Sequence, residues 1–158
     1  MEYLTPISIA RREWAADHRR TYIESGGTRG HIVDLRDING HGFTTTLLLR
    51  TIGRRTGEAH VTPLIYGDLG GEVVIIGSRG GAPKHPAWVH NIRAAGDIDF
   101  QIATEAFRGP WREPEGKERD KVWDFMVDLF PPYRDYRAAT DRQIPLIMLT
   151  ARDRIEGL

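Results

Sequence analysis

The chain has 158 residues, with 22 Lys plus Arg balanced by 22 Asp plus Glu, and no cysteine. A neutral balance argues against a general nucleic-acid binder, and the lack of thiols excludes disulfides, iron–sulfur clusters, thiolate zinc sites and redox-active cysteines. If the protein does electron chemistry, a bound cofactor has to supply it. The 40% hydrophobic and 28% charged content suits a soluble globular protein. The length fits one domain over residues 1–158, an N-terminal helix (1–27) followed by a body (28–158). The start lacks the basic-then-apolar pattern of a signal peptide, and no apolar run approaches the ~18 residues of a membrane span, so a cytoplasmic location is expected.

Ser8 is a good N-cap for a helix running through Ile9, Trp14, Tyr22 and Ile23, and Gly26-Gly27 supplies its stop. Its weak apolar stripe places it on a surface, where peripheral contact with a membrane is left open. Residues 31–35 predict a short strand, Asn39-Gly40 a turn, and 44–52 a β-branched and apolar strand. A glycine-framed basic turn, 53–57, leads into a strand at 59–66. Pro63 inside that strand has no N–H for a ladder, which suggests an edge, a bulge or backbone kept free for a ligand. After Gly70-Gly71, residues 73–76 read as a buried strand.

Pro86 suits the first turn of a helix with Trp88, Val89, Ile92 and Ala95 on one side, and Gly96-Asp97 stops it. Residues 98–103 alternate as a half-buried strand, with 105–111 as hairpin partner. Pro114 opens the strongest helix, whose apolar face is Val122, Trp123, Phe125, Met126, Leu129 and Phe130; Pro131-Pro132 ends it. Tyr133 and Tyr136 fall in a short polar linker before a final strand at 145–150. Most connections are too short for parallel crossovers. The expectation is therefore α+β, a mainly antiparallel sheet curling into a small barrel with helices packed around it.

Between Arg50 and Arg93 stand six Lys or Arg against three acidic residues, which by itself also fits a solvated basic face. Gly53-Arg54-Arg55-Thr56-Gly57 lacks the spacing of a phosphate loop. It reads either as a strand-joining turn with exposed arginines or as a grip in which Arg54, Arg55 and the Thr56 hydroxyl hold an anionic tail. Gly77-Ser78-Arg79-Gly80-Gly81 is the stronger signal. Successive glycines let backbone N–H groups approach a ligand, and Arg79 and Lys84 add charge beside a helix start. A plain glycine loop reads the same way. His85 and His90, five apart, would face differently on a helix, H-E-x-x-H is absent, and no metal site is expected. No G-x-S-x-G elbow marks a serine nucleophile. Tyr133 and Tyr136, three apart, can share a face as packing or rim residues.

Taken in order, these pieces resemble the deazaflavin (F420)-dependent nitroreductase family. The resemblance rests on Leu47-Leu48-Leu49-Arg50-Thr51-Ile52-Gly53-Arg54-Arg55-Thr56-Gly57, Val61-x-Pro63-Leu64, and Gly77-Ser78-Arg79-Gly80-Gly81-x-x-Lys84-x-Pro86-x-Trp88-x-x-Asn91. Ser25-Gly26-Gly27, Pro132-Tyr133-x-x-Tyr136 and Thr140-x-Arg142-x-Ile144-Pro145 extend it over nearly the whole chain. It implies a split β-barrel that binds reduced coenzyme F420, a flavin-like ring on a tail bearing a phosphate and several glutamates. By position, Arg54, Arg55, Thr56 and Lys84 would hold phosphate and tail. Ser78, Arg79, Gly80 and Gly81 would line ring and linker, with Thr62, Pro63, Trp88 and Asn91 nearby and Tyr66 a looser member. His60 stands where relatives often have Arg, which would make tail affinity pH-dependent, and Arg79 stands where Lys is common.

The resemblance further implies hydride transfer to a quinone or nitroaromatic acceptor. Tyr133 and Tyr136 would sit at the acceptor mouth and Ser78 would donate a hydrogen bond to ring or acceptor; tyrosine and water both remain as proton source. Two other readings fit the same small barrel with basic turns. One is an FMN-dependent split-barrel flavin reductase or oxidase, the other a non-catalytic carrier of an anionic or lipidic ligand. Monomer and dimer are both compatible with the sequence.

Overall fold

Tyr22 explains how the first helix is held. Its ring is fully buried, and its hydroxyl donates to the Thr46 carbonyl (2.9 Å) and accepts from the Ala103 N–H (2.9 Å). The structure, a computed structural model, describes residues 6–36 and 41–158, so the expected Asn39-Gly40 turn lies outside the described residues. The helix, α1, spans Pro6–Glu24. It starts two residues before Ser8, because proline's fixed φ already suits a first helical position. Gly26 (φ +64°) and Gly27 (φ +89°) end it. A Cβ on Gly27 would lie 1.7 Å from the Ala103 carbonyl oxygen, so only glycine lets the helix end seat there.

Among the described residues every strand pairing is antiparallel, in two sheets. The larger contains β1 (Ile32–Asp34), β2 (Phe43–Ile52), β3 (Ala59–Ile65), β6 (Ile98–Ile102), β7 (Glu105–Gly109) and β10 (Asp153–Ile155). Its order is β1-β2-β6-β7-β10, with β3 also on β2. The smaller orders β4 (Gly67–Leu69), β5 (Glu72–Ile76), β9 (Leu146–Leu149) and β8 (Trp111–Arg112). Strand β10 had no expectation behind it; it is short, charged and exposed, and only pairing with β7 makes it a strand. Pro63 sits opposite Leu48 on β3, which pairs with β2 alone among the described residues, so its missing N–H falls on an edge strand. Among the described residues no ladder joins the two sheets into a closed barrel.

The two central strands of the smaller sheet, β5 and β9, are buried on both faces, as their apolar runs require. Val74, Ile76, Leu146 and Met148 point into one core with Val122, Trp123, Met126 and Phe130. Val73, Ile75, Ile147 and Leu149 point into a second core with Leu47, Leu49, Phe100 and Ile92 of the opposing sheet and helix. Helix α2 spans Ala87–Arg93 and α3 spans Gly116–Leu129. The expected polar linker after α3 is instead a helix, α4 (Pro132–Ala138). Proline at its start pre-sets the turn, and Tyr133, only 4% exposed, stacks edge-on against Phe130 with ring centroids 4.9 Å apart. No helix among the described residues is long and apolar enough to cross a membrane.

Candidate functional site

Two adjoining clefts lie where β3, the loop after β5, and helices α2 and α4 meet. The first, about 440 Å³, is lined by Leu35, Thr62, Pro63, Leu64, Ile65, Ile76, Ser78, Arg79, Gly80, Pro86, Trp88, Phe130, Tyr133 and Tyr136. Among the described residues Arg79 is its one charged lining residue. The second, about 670 Å³, is lined by Arg54, Arg79, Pro83, Lys84, His85, Pro86, Ala87, His90 and Arg142, with no carboxylate. Arg79 and Pro86 belong to both. One cleft is apolar with hydroxyls; its neighbour is basic.

Two of the hydroxyls lining the apolar cleft, those of Ser78 and Tyr133, come from buried residues, and those of Thr62 and Tyr136 from half-buried ones. Ser78 is 7% and Tyr133 4% exposed, yet no buried side-chain polar atom among the described residues lacks a hydrogen-bond partner. Among the described residues neither hydroxyl has a hydrogen bond, so neither oxygen is fully buried and both open onto the cleft that the two residues line. Burial pushes the Tyr133 phenol well above its ordinary value, and the adjacent Tyr136 adds to it. Tyr133 therefore keeps its proton and presents a neutral donor. Tyr136, half-buried, leans edge-on against it with centroids 6.1 Å apart. Of the two readings of Tyr133, packing or rim, the fold supports packing: it is a core residue that also lines the cleft, because α4 packs its ring against Phe130 and Trp123.

The loop between β5 and α2 is held in a costly conformation. Arg79 (φ +45°) and Gly80 (φ +63°) are both left-handed, which is uncommon for a side-chain-bearing residue and clusters at ligand sites. The N–H groups of Gly81 and Ala82 are used in the turn itself, bonding the carbonyls of Ser78 (2.9 Å) and Arg79 (3.1 Å), which leaves a smaller anion nest than the glycines suggest. Gly81 faces α4, where a Cβ would come within 2.7 Å of the Tyr136 carbonyl oxygen.

Of the residues singled out from sequence, Thr62, Pro63, Ser78, Arg79, Gly80, Trp88, Tyr133 and Tyr136 converge on the apolar cleft, and Arg54, Arg79 and Lys84 on the basic one. Arg55, Thr56, His60, Gly81 and Asn91 line neither. Arg55 and His60 are exposed, and the Thr56 hydroxyl accepts from the Glu58 N–H (3.2 Å). Asn91 is 5% exposed; its side-chain oxygen accepts from the Arg54 N–H (3.1 Å) and its amide donates to the Thr51 hydroxyl (3.4 Å). It braces the first basic turn. Tyr66 instead shares a 2.7 Å hydrogen bond with the His31 ring.

Arg142, His85 and His90 were not expected in the site. His85 precedes α2 and folds back over it, which brings the two rings to 5.7 Å, contrary to the divergence expected on one helix. No group of three or more His, Asp or Glu among the described residues is placed to hold a metal ion. The signal for Arg142 in the sequence was its place before Ile144-Pro145, whose meaning needs the fold.

A family model described as F420H(2)-dependent quinone reductase matches residues 14–151. An F420H(2)-dependent quinone reductase of Mycobacterium tuberculosis strain H37Rv is 28% identical over 138 residues, 85% of this chain and 88% of that protein. Among solved structures, an F420-H2 dependent reductase superposes with a TM-score of 0.60 at 34% identity, covering 65% of this chain and 91% of its own. A domain-swapped dimer superposes with a TM-score of 0.63 at 30% identity, covering 87% of this chain and 98% of its own.

Proposed function

The chain belongs to the F420H(2)-dependent quinone reductase family, and on that premise we propose that it passes a hydride from reduced coenzyme F420 to a small quinone. Nitroaromatics are a second acceptor class for the same chemistry. The observation that supports this reading is the pairing of an apolar, hydroxyl-bearing cleft with a carboxylate-free basic cleft through Arg79 and Pro86. A ligand with a planar ring and an anionic tail needs that combination. Arg54, Arg79 and Lys84 form the donor set for the tail, and Trp88, Pro63 and Ile76 the walls for the ring. On the same reading the two antiparallel sheets, packed face to face over a shared core, are the halves of a split barrel.

When bound, the reduced deazaflavin supplies the hydride. The chain orients the acceptor, excludes water from the apolar cleft and stabilises charge that develops on the acceptor oxygen. Ser78, Tyr133 and Tyr136 are the hydroxyls available for that. Tyr133, held protonated by burial, donates a hydrogen bond to the acceptor oxygen, and one proton, from solvent or a tyrosine hydroxyl, completes the hydroquinone. A binding titration with reduced F420 and with FMN, followed by turnover on quinones and nitroaromatics, tests the proposal. F420 binding with quinone reduction is expected. Submicromolar FMN binding with none for F420 would overturn it in favour of a flavin enzyme, and F420 binding without turnover would leave a carrier.

A further inference from the structure

One guanidinium holds the whole loop between β5 and α2. Arg142, half-buried between α4 and β9, donates from Nε to the Ala82 carbonyl (2.7 Å) and from Nη2 to the Ser78 carbonyl (2.7 Å). Its Nη1 reaches the Gly77 carbonyl (3.1 Å) and the His85 Nδ1 (2.8 Å). It pairs with no carboxylate among the described residues. Four acceptors spread over nine residues of chain thus converge on one planar fork. The bonds hold the carbonyls on either side of the left-handed Arg79-Gly80 pair, which supplies the over-determination that strained backbone requires.

Guanidinium nitrogens only donate, so the His85 Nδ1 must accept and its proton must sit on Nε2. The bond exists only while His85 is neutral. Among the described residues, Arg142 before β9 and Arg93 and His90 on α2 act on that ring, opposed by Glu113, while Arg54 in the first turn and Arg79 and Lys84 on its own loop line the same cleft. Burial first, then Arg142, Arg93 and His90, pushes His85 below its ordinary value of 6.5.

We infer that Arg142 is a positioning residue for the cofactor site, clamping Gly77, Ser78 and Ala82 so that the Ser78 hydroxyl and the Arg79-Gly80 backbone face the clefts, with neutral His85 as the clamp's fourth anchor. The consequence for cofactor rests on the functional reading above; the clamp does not. Its sign is diagnostic. A histidine merely beside an anionic tail strengthens binding when it gains a proton. A histidine that anchors Arg142 weakens it, because the new charge repels the guanidinium and removes its acceptor. The lowered pKa places the stabilising neutral form fully above pH 6.5, with its contribution lost as pH falls through the folded-state value.

The experiment combines amide hydrogen exchange on cofactor-free protein with F420 titrations, for wild type, Arg142→Lys, Arg142→Ala and His85→Gln. Lysine cannot span four acceptors, and glutamine keeps a neutral acceptor at every pH. Loop amides in 77–85 are expected to exchange roughly ten-fold faster in both Arg142 variants, with β9 amides unchanged, and F420 affinity to fall roughly ten-fold. From about pH 7 to pH 5, wild type should show rising loop exchange, after correction for intrinsic rates, and falling affinity relative to His85→Gln. An Arg142→Lys protein with wild-type exchange and affinity would overturn the inference, as would affinity that rises on acidification relative to His85→Gln. If neither Arg142 variant folds, the His85→Gln comparison still decides. A wild type that binds no F420 would sink the functional reading, while the exchange result would still judge the clamp.

Discussion

The two glycine-and-arginine turns look alike in sequence and are built in opposite ways. The first, Gly53 to Gly57, closes on itself through Gly53 N–H to the Glu58 carbonyl (2.7 Å), Gly57 N–H to the Gly53 carbonyl (2.8 Å) and its own Thr56 hydroxyl, and among the described residues its side-chain brace from outside is Asn91. Arg54, Arg55, Thr56 and Gly57 are all exposed, and a Cβ on Gly57 would meet nothing. The second, Gly77 to Gly81, is tied to Pro145 (2.9 Å), clamped by Arg142 and pressed against α4. The contrast fits a flexible, charged tail at one end and a ring that must be placed within tenths of an ångström at the other.

Glycine replacements test that contrast most severely. Gly81→Ala combines a left-handed φ of +82° with a backbone clash and is expected to cost about 3 kcal/mol in denaturant unfolding. Gly57→Ala, at φ +73° in open space, should cost about 1 kcal/mol. Equal costs would erase the distinction between the turns. Asn91→Ala removes the brace that reaches the first turn from α2 and strands the buried Thr51 hydroxyl; about 2 kcal/mol of destabilisation is expected, with weaker F420 binding. Unchanged stability would mean that the first turn stands alone.

The grip itself sharpens the comparison. Arg54→Ala or Lys84→Ala should weaken F420 binding by about ten-fold and a tail-less deazaflavin far less, since a charge-assisted bond to the tail is lost. Equal losses for both ligands would remove the basic cleft from tail binding. At the ring end, Tyr133→Phe should lower quinone turnover by about five-fold, the worth of one neutral hydrogen bond, with cofactor affinity unchanged. Because burial raises the Tyr133 pKa further above 10, the variant should leave the pH profile between about 6 and 9 unaltered. Loss of a limb in that range would show that Tyr133 ionises.

Strands were legible wherever apolar or β-branched residues ran on. Residues 44–52, 59–66, 73–76 and 98–103 became β2, β3, β5 and β6 within a residue or so at the ends, and Pro63 fell on an edge strand. Pattern failed where a neighbour decides. Nothing in Asp153-Arg154-Ile155 marks a strand without β7 beside it, and Tyr133 reads as linker until Phe130 and Trp123 cover it. The same limit applies to the site. Residue type and spacing picked out Ser78, Arg79, Gly80 and Lys84, but Asn91 could not be recognised as a brace, nor Arg142 as a clamp. Their hydrogen bonds reach across 37 and about 60 residues of chain.

By itself the sequence determined what kinds of groups are available: no thiol, a local excess of guanidinium over carboxylate, two glycine-framed turns and a set of apolar strands. These are properties of single residues and short spacings, fixed before the chain folds. Only the tertiary structure decided which turn would be rigid, which hydroxyls would open onto a cleft, and which arginine would be spent on carbonyls instead of a ligand. Hydrogen bonds and steric contacts between distant segments settle those choices, because the energy of a buried polar group depends on the partner folding brings to it.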